Sequence, residues 1–128
     1  MTFAHAIEVF AVVNFAVIGL SHVAQPRAWA ELFVGMRSLG YTGVFLNGMP
    51  SLLVGSIIVA FHNAWTGLPA VLTVIGWMQV VKGAISLTVP RVGMRGLLRV
   101  STDRAWEFQA AGAAFLAIAA LIAWSWRS

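Results

Sequence analysis

The sequence predicts an all-α integral membrane protein: a four-helix bundle of antiparallel, up-and-down topology with short interfacial helices in its two cytoplasmic connections. The chain is 60% hydrophobic and only 9% charged, whereas an average soluble domain is about a quarter charged. Four of its apolar stretches reach the roughly 20 residues that a helix needs to cross the hydrocarbon core of a bilayer. Because a bilayer offers no partners to backbone polar groups, such stretches are expected to cross it as helices.

The four predicted spans leave only short connections, so all residues belong to a single transmembrane domain, 1–128. The spans cover approximately residues 3–23, 41–61, 68–89 and 105–126. Pro26 and Pro90 follow the first and third spans and are expected to end them, since proline lacks an amide hydrogen and crowds the preceding turn. Asp103 is expected to cap the fourth span, with Glu107 in its first turn.

Pro50 lies inside the second span. It cannot donate a hydrogen bond to the carbonyl of Leu46, so we expect a kink between residues 46 and 50.

The distribution of arginines predicts the orientation of the chain. The positive-inside rule puts the 1–2 and 3–4 connections in the cytoplasm and both termini on the periplasmic side. These connections contain most of the basic residues of the chain: Arg27, Arg37, Arg91, Arg95, Arg99 and Arg104. We expect a multi-pass topology.

The two cytoplasmic connections, residues 26–39 and 91–99, have the spacing of short amphipathic helices. Arg91, Arg95 and Arg99 stand four residues apart and therefore share a helix face. That face is suited to the phosphates of anionic lipids at the cytoplasmic surface. Nucleic acid is not expected as a partner, because the basic residues are sparse and are not interleaved with stacking aromatic residues.

Small residues recur at helical spacing in three spans. They are Gly48, Ser51 and Gly55 in the second, Gly76 and Gly83 in the third, and Ala110, Ala113, Ala114 and Ala117 in the fourth. In lipid, helices associate mainly where small residues let their backbones approach closely. The stripes predict a closely packed bundle. We expect contacts within the chain, although the fourth span has enough small residues for a contact between subunits as well.

Several polar side chains fall within the spans, where each needs a physical reason. Glu8, Asn14, Asn47 and Gln79 are candidates for lining a polar cavity. If Glu8, Asn14 and Asn47 converge beside the Pro50 kink, the chain would resemble a small transporter or channel, since broken helices line transporter sites.

Lys82 and Glu107 lie near the cytoplasmic ends of the third and fourth spans. We expect them to form an intramembrane ion pair. The alternatives are that Lys82 extends alone to the headgroups or belongs to a proton or substrate pathway.

His5, Glu8 and His62 are all expected near the periplasmic surface and form a weak candidate metal site or redox module. The preferred interpretation is that His62 and Asn63 form hydrogen bonds at the interface, and that Glu8 is bonded to a neighbour or is protonated. His22 lies at the opposite end of the first span, which does not favour haem ligation by paired histidines. The chain has no cysteine, and we expect no cofactor.

The segment from Phe61-His62-Asn63-Ala64-Trp65 to Pro90, with Gly76-Trp77 and Lys82-Gly83 within it, resembles uncharacterised small four-helix bacterial inner-membrane proteins. The resemblance covers the second and third spans and implies the same four-span layout and location. It implies no catalytic residues.

The sequence contains no phosphate-binding glycine loop, nucleophile elbow or paired-histidine metal motif. We therefore expect a non-catalytic protein that acts by packing, either as a homo-oligomer or as an accessory subunit of a larger membrane complex. The small transporter and the periplasmic metal-binding module remain alternatives.

Overall fold

The computed structural model describes residues 1–127, which form six α-helices and one 3₁₀ turn. The helices are α1 (Phe3–Ala24), α2 (Pro26–Ser38), α3 (Tyr41–Phe61), α4 (Ala70–Thr88), α5 (Pro90–Leu98) and α6 (Trp106–Ser125), and the 3₁₀ turn is Thr102–Arg104. Four of them, α1, α3, α4 and α6, are long and apolar enough to cross a membrane. An all-α chain with four such helices is what the sequence predicts, and the bounds agree to within two residues.

The helix ends have local causes, and one prediction about them is wrong. The amide of His5 donates to the Thr2 hydroxyl across 3.1 Å at the start of α1. Pro26 and Pro90 are the first residues of α2 and α5, where a missing amide hydrogen costs nothing. Asp103 does not cap α6; it lies inside the 3₁₀ turn, and its amide donates to the Ser101 hydroxyl instead.

α3 runs continuously from Tyr41 to Phe61 with Pro50 inside it. The kink between residues 46 and 50 stays a prediction.

α3 packs mainly against α4, and the predicted glycines make this contact close. A β-carbon on Gly55 would lie 2.7 Å from the carbonyl oxygen of Gly76, and one on Gly83 would lie 2.6 Å from the backbone of Leu52. A β-carbon on Gly48 would lie 2.6 Å from that of Ser86. The helices approach to a distance that only glycine permits, which confirms the prediction of close packing for this pair.

α1 packs mainly against α6 through a glycine pair that the sequence analysis does not single out. A β-carbon on Gly19 would lie 2.9 Å from the carbonyl oxygen of Gly112, and one on Gly112 would lie 2.5 Å from that of Gly19. The rings of Phe15 and Phe115 stack beside this crossing at 5.7 Å.

The alanines of α6 do not serve the chain's own packing. Ala110, Ala113, Ala114 and Ala117 are all exposed, whereas Gly112 and Ala119 are the buried small residues of that helix. The prediction that these four alanines make contacts within the chain is therefore wrong.

α2 and α5 pack on each other and on the long helices at the end of the bundle opposite His62. The Arg37 guanidinium donates to the carbonyl oxygen of Val100 across 3.1 Å. Phe33 stacks on Phe108 of α6 at 5.5 Å. These contacts join the α1–α6 pair to the α3–α4 pair at this end.

Candidate functional site

Three buried polar side chains, Glu8, His62 and Thr73, form a cluster with Trp126, which is 38% exposed. Glu8 comes from α1, His62 follows the last residue of α3, Thr73 comes from the first turn of α4, and Trp126 follows α6. We call these residues the Glu8–His62 cluster. It joins the α1–α6 pair to the α3–α4 pair at the end of the bundle opposite α2 and α5.

His62 is the centre of the cluster and is 0% exposed. Its Nε2 lies 2.7 Å from Oε2 of Glu8, and its Nδ1 lies 2.9 Å from the Thr73 hydroxyl oxygen. Both ring nitrogens therefore have short polar contacts, and the orientation of the ring is fixed by two different helices.

The Thr73 hydroxyl connects the His62 ring to the backbone. A hydroxyl has one proton to donate and two lone pairs to accept with. Thr73 accepts from the Ala64 amide at 3.1 Å and donates to the His62 carbonyl oxygen at 3.3 Å. With Nδ1 of His62 at 2.9 Å, this one oxygen atom has three polar neighbours.

Glu8 uses its two oxygens on two partners. Oε2 faces His62, and Oε1 accepts a hydrogen bond from the indole Nε1 of Trp126 at 2.7 Å. The 2.7 Å contact with Nε2 is a short hydrogen bond. Together the two contacts give each oxygen of Glu8 a partner, as a buried polar group requires.

In this arrangement both nitrogens of His62 and both oxygens of Glu8 have hydrogen-bond partners within the chain. Across residues 1–127, no buried side-chain nitrogen or oxygen is left without a hydrogen bond.

His5 does not complete the metal trio predicted with Glu8 and His62. Its ring packs edge-on against the Trp126 ring, with centroids 5.1 Å apart. No group of three histidine, aspartate or glutamate side chains in the described part of the chain is placed to hold a metal ion. Glu8 is bonded to neighbours as expected, whereas His62 is fully buried within the bundle and not at the interface.

The predicted cavity residues Glu8, Asn14, Asn47 and Gln79 are not joined to one another. Asn14 donates to the Phe10 carbonyl oxygen of its own helix at 2.8 Å. Gln79 packs over Gly55 at the α3–α4 contact. Asn47 lines a cavity beside α5, at the other end of the bundle from Glu8. Pro50 lies in an apolar surface groove, away from these groups.

The expected ion pair between Lys82 and Glu107 is not formed. Glu107 pairs with Arg104 three residues earlier, at 2.9 Å. The other ion pairs within residues 1–127 are Arg27 with Glu31 and His62 with Glu8. The prediction failed because it assumed that α4 and α6 face each other, whereas each packs mainly on another helix.

Two members of the cluster were missed from the sequence. Trp126 is not singled out in the sequence, yet its indole nitrogen donates a hydrogen bond to Glu8. Thr73 was not considered as a site residue. The available signal was its position: Thr73 lies in the first turn of α4, the helix that follows His62 in the chain.

His22 lies in a separate aromatic cluster near the start of α2. Its ring stacks on Trp29 at 4.1 Å, and its Nδ1 bonds to the carbonyl oxygen of Ile18. The structure thus uses this histidine to pack α2 against α1.

Comparison of the chain with protein-family models, with curated proteins and with solved structures gave no match.

Proposed function

We propose that this chain is a non-catalytic, multi-pass protein of the bacterial inner membrane that acts by packing against a further copy of itself or another membrane subunit. The observation that carries the proposal is the exposed alanine stripe of α6, Ala110, Ala113, Ala114 and Ala117. Small residues at four-residue intervals allow close helix contact in lipid. The chain's own bundle leaves this stripe open while glycines make its internal contacts.

The state of the polar groups supports a packing role over a chemical one. The Glu8–His62 cluster is saturated with internal hydrogen bonds and joins the α1–α6 pair to the α3–α4 pair. Such a cluster holds the bundle in one arrangement, so that the outer faces of the helices are presented to a partner in fixed positions.

The membrane arrangement that accompanies this function is an antiparallel, up-and-down bundle. The order of contacts between α3 and α4 supports it, since Gly48 meets Ser86 while Gly55 meets Gly76. We propose that α2 and α5 lie at the cytoplasmic interface, with the exposed Arg91, Arg95 and Arg99 near anionic headgroups, and that both termini are periplasmic.

Cysteine crosslinking tests the role of α6, because the natural chain contains no cysteine. Ala113→Cys and Ala117→Cys should each give a disulfide-linked dimer, or a crosslink to another subunit, when native membranes are oxidised. Leu53→Cys provides the matched control, since Leu53 is 63% exposed on a different helix. Monomer alone from both alanine positions, or equal crosslinking from Leu53, would refute the proposal.

A further inference from the structure

A cavity of about 390 Å³ lies between α3, α4 and α5, at the end of the bundle opposite the Glu8–His62 cluster. Its lining includes three polar side chains and two glycines, together with apolar residues. These five residues are Asn47, Lys82, Ser86, Gly93 and Gly96. The volume falls in the range of small-ligand sites.

The polar side chains of this cavity are not used by the protein itself. Within residues 1–127, the Asn47 amide, the Lys82 ammonium and the Ser86 hydroxyl form no hydrogen bond, and none of the ion pairs includes Lys82. This contrasts with the Glu8–His62 cluster, where every group has a partner. A lysine inside a membrane span has a counter-charge or a polar partner, or extends to the headgroups. Lys82 is exposed and the chain itself supplies no partner.

An apolar groove begins at the same lysine. Lys82 also borders a surface groove of about 550 Å³ formed by Val74, Trp77, Met78 and Val81. These residues recur every three or four positions and therefore lie on one face of α4. From Lys82 to Val74 this face extends roughly 12 Å along α4, at 1.5 Å rise per residue, and it passes the middle of the helix.

We propose that this combined site binds one anionic phospholipid. Its phosphate accepts hydrogen bonds from Lys82, Asn47 and Ser86, and an acyl chain lies in the groove along Val81, Met78 and Val74. The site has its cation towards the Thr88 end of α4 and its apolar part towards the middle of that helix, as in a lipid of the adjoining leaflet. A single positive charge beside a long apolar groove is complementary to an acidic amphiphile.

Native mass spectrometry of the full-length protein in mild detergent tests the site. The probes are phosphatidylglycerol and phosphatidylcholine with the same acyl chains. We expect one tightly retained phosphatidylglycerol, weakened about tenfold or more by Lys82→Gln and much less by Lys82→Arg, because a charge-assisted hydrogen bond is lost only in the first. Unchanged phosphatidylglycerol affinity in Lys82→Gln would overturn the proposal.

Arg95→Gln separates this site from general surface attraction. Arg95 is exposed on α5 and does not line the cavity, so its loss should change affinity by less than about threefold. An effect as large as that of Lys82→Gln would mean that the lipid is held by surface charge alone, and the proposal would be wrong.

Filling the cavity provides a second test that leaves the charge in place. Gly96 lines the cavity and a β-carbon there would meet nothing within 4 Å, so Gly96→Leu should fill part of the cavity and weaken phosphatidylglycerol binding. Gly35→Leu is the matched control, since a β-carbon there also meets nothing within 4 Å and Gly35 is outside the cavity. Equal affinity in both variants, or displacement of the lipid by inorganic phosphate, would contradict a phospholipid site.

Discussion

A buried histidine in contact with a buried glutamate is a costly element in a membrane bundle unless every polar atom has a partner. His62 meets this condition through Glu8 on one ring nitrogen and Thr73 on the other. Trp126 then takes the second oxygen of Glu8. The four side chains form one hydrogen-bonded unit, and the stabilisation that each side chain contributes depends on the presence of the other three.

Glu8→Ala should lower the free energy of unfolding by about 1–3 kcal/mol, because the buried Nε2 of His62 and the indole nitrogen of Trp126 lose their partner. Glu8→Gln should cost less than Glu8→Ala, since the amide keeps the shape of the carboxyl group and an oxygen that can accept from Trp126. Unfolding in mixed dodecyl maltoside and dodecyl sulfate micelles measures both. If glutamine is as damaging as alanine, the hydrogen bond from Trp126 does not stabilise the bundle.

Thr73→Val should lower the free energy of unfolding by about 1–3 kcal/mol, because it leaves the Ala64 amide without an acceptor and Nδ1 of His62 without a partner. Thr73→Ser keeps the hydroxyl and serves as the matched control, with an expected loss below about 1 kcal/mol. Similar losses in the two variants, measured in the same micelles, would show that the methyl group and not the hydroxyl is important.

Residue-level chemistry was only partly predictable from the sequence. Glu8 and His62 stood out, because charged and titratable groups are rare in such an apolar chain. Their partners did not, since a threonine and a tryptophan have ordinary roles in membrane helices. The prediction of a Lys82–Glu107 ion pair was wrong. Two residues expected near the same membrane surface need not lie on helices that face each other.

At the scale of single helices, close approach rather than amphipathic patterning determines the packing. Gly55 and Gly76 bring α3 against α4, and Gly19 and Gly112 bring α1 against α6. In lipid the outer surface of a bundle is as apolar as its interior, so hydrophobic periodicity does not distinguish the two faces of a helix. This explains why the helix bounds were predictable but the pairing was not.

Gly55→Ala should lower the free energy of unfolding by about 1–3 kcal/mol, since the new methyl group would lie 2.7 Å from backbone atoms of Gly76 and Val80. Gly35→Ala should instead leave stability unchanged or raise it by up to about 1 kcal/mol, because helix propensity improves in open space. The comparison uses the same micellar unfolding assay. Equal effects would mean that α3 and α4 are less closely packed than described.

The whole molecule is two helix pairs joined at both ends. Polar bonds of the Glu8–His62 cluster join them at one end, and α2 with α5 joins them at the other. The four long helices and the two short ones could be predicted from the hydropathy of the chain, the positions of its prolines and the spacing of its apolar residues. The exposure of the α6 alanines could not be predicted, since it depends on which face of α6 meets α1.

The central claim is that four helices cross the membrane, with the Glu8–His62 cluster on the periplasmic side and α2 and α5 on the cytoplasmic side. Labelling of single cysteines in intact cells with a membrane-impermeant thiol reagent tests it most directly. Thr66→Cys and Arg127→Cys should react in intact cells, whereas Leu39→Cys and Asp103→Cys should react only after permeabilisation. Reaction of all four positions from the same side would contradict the account.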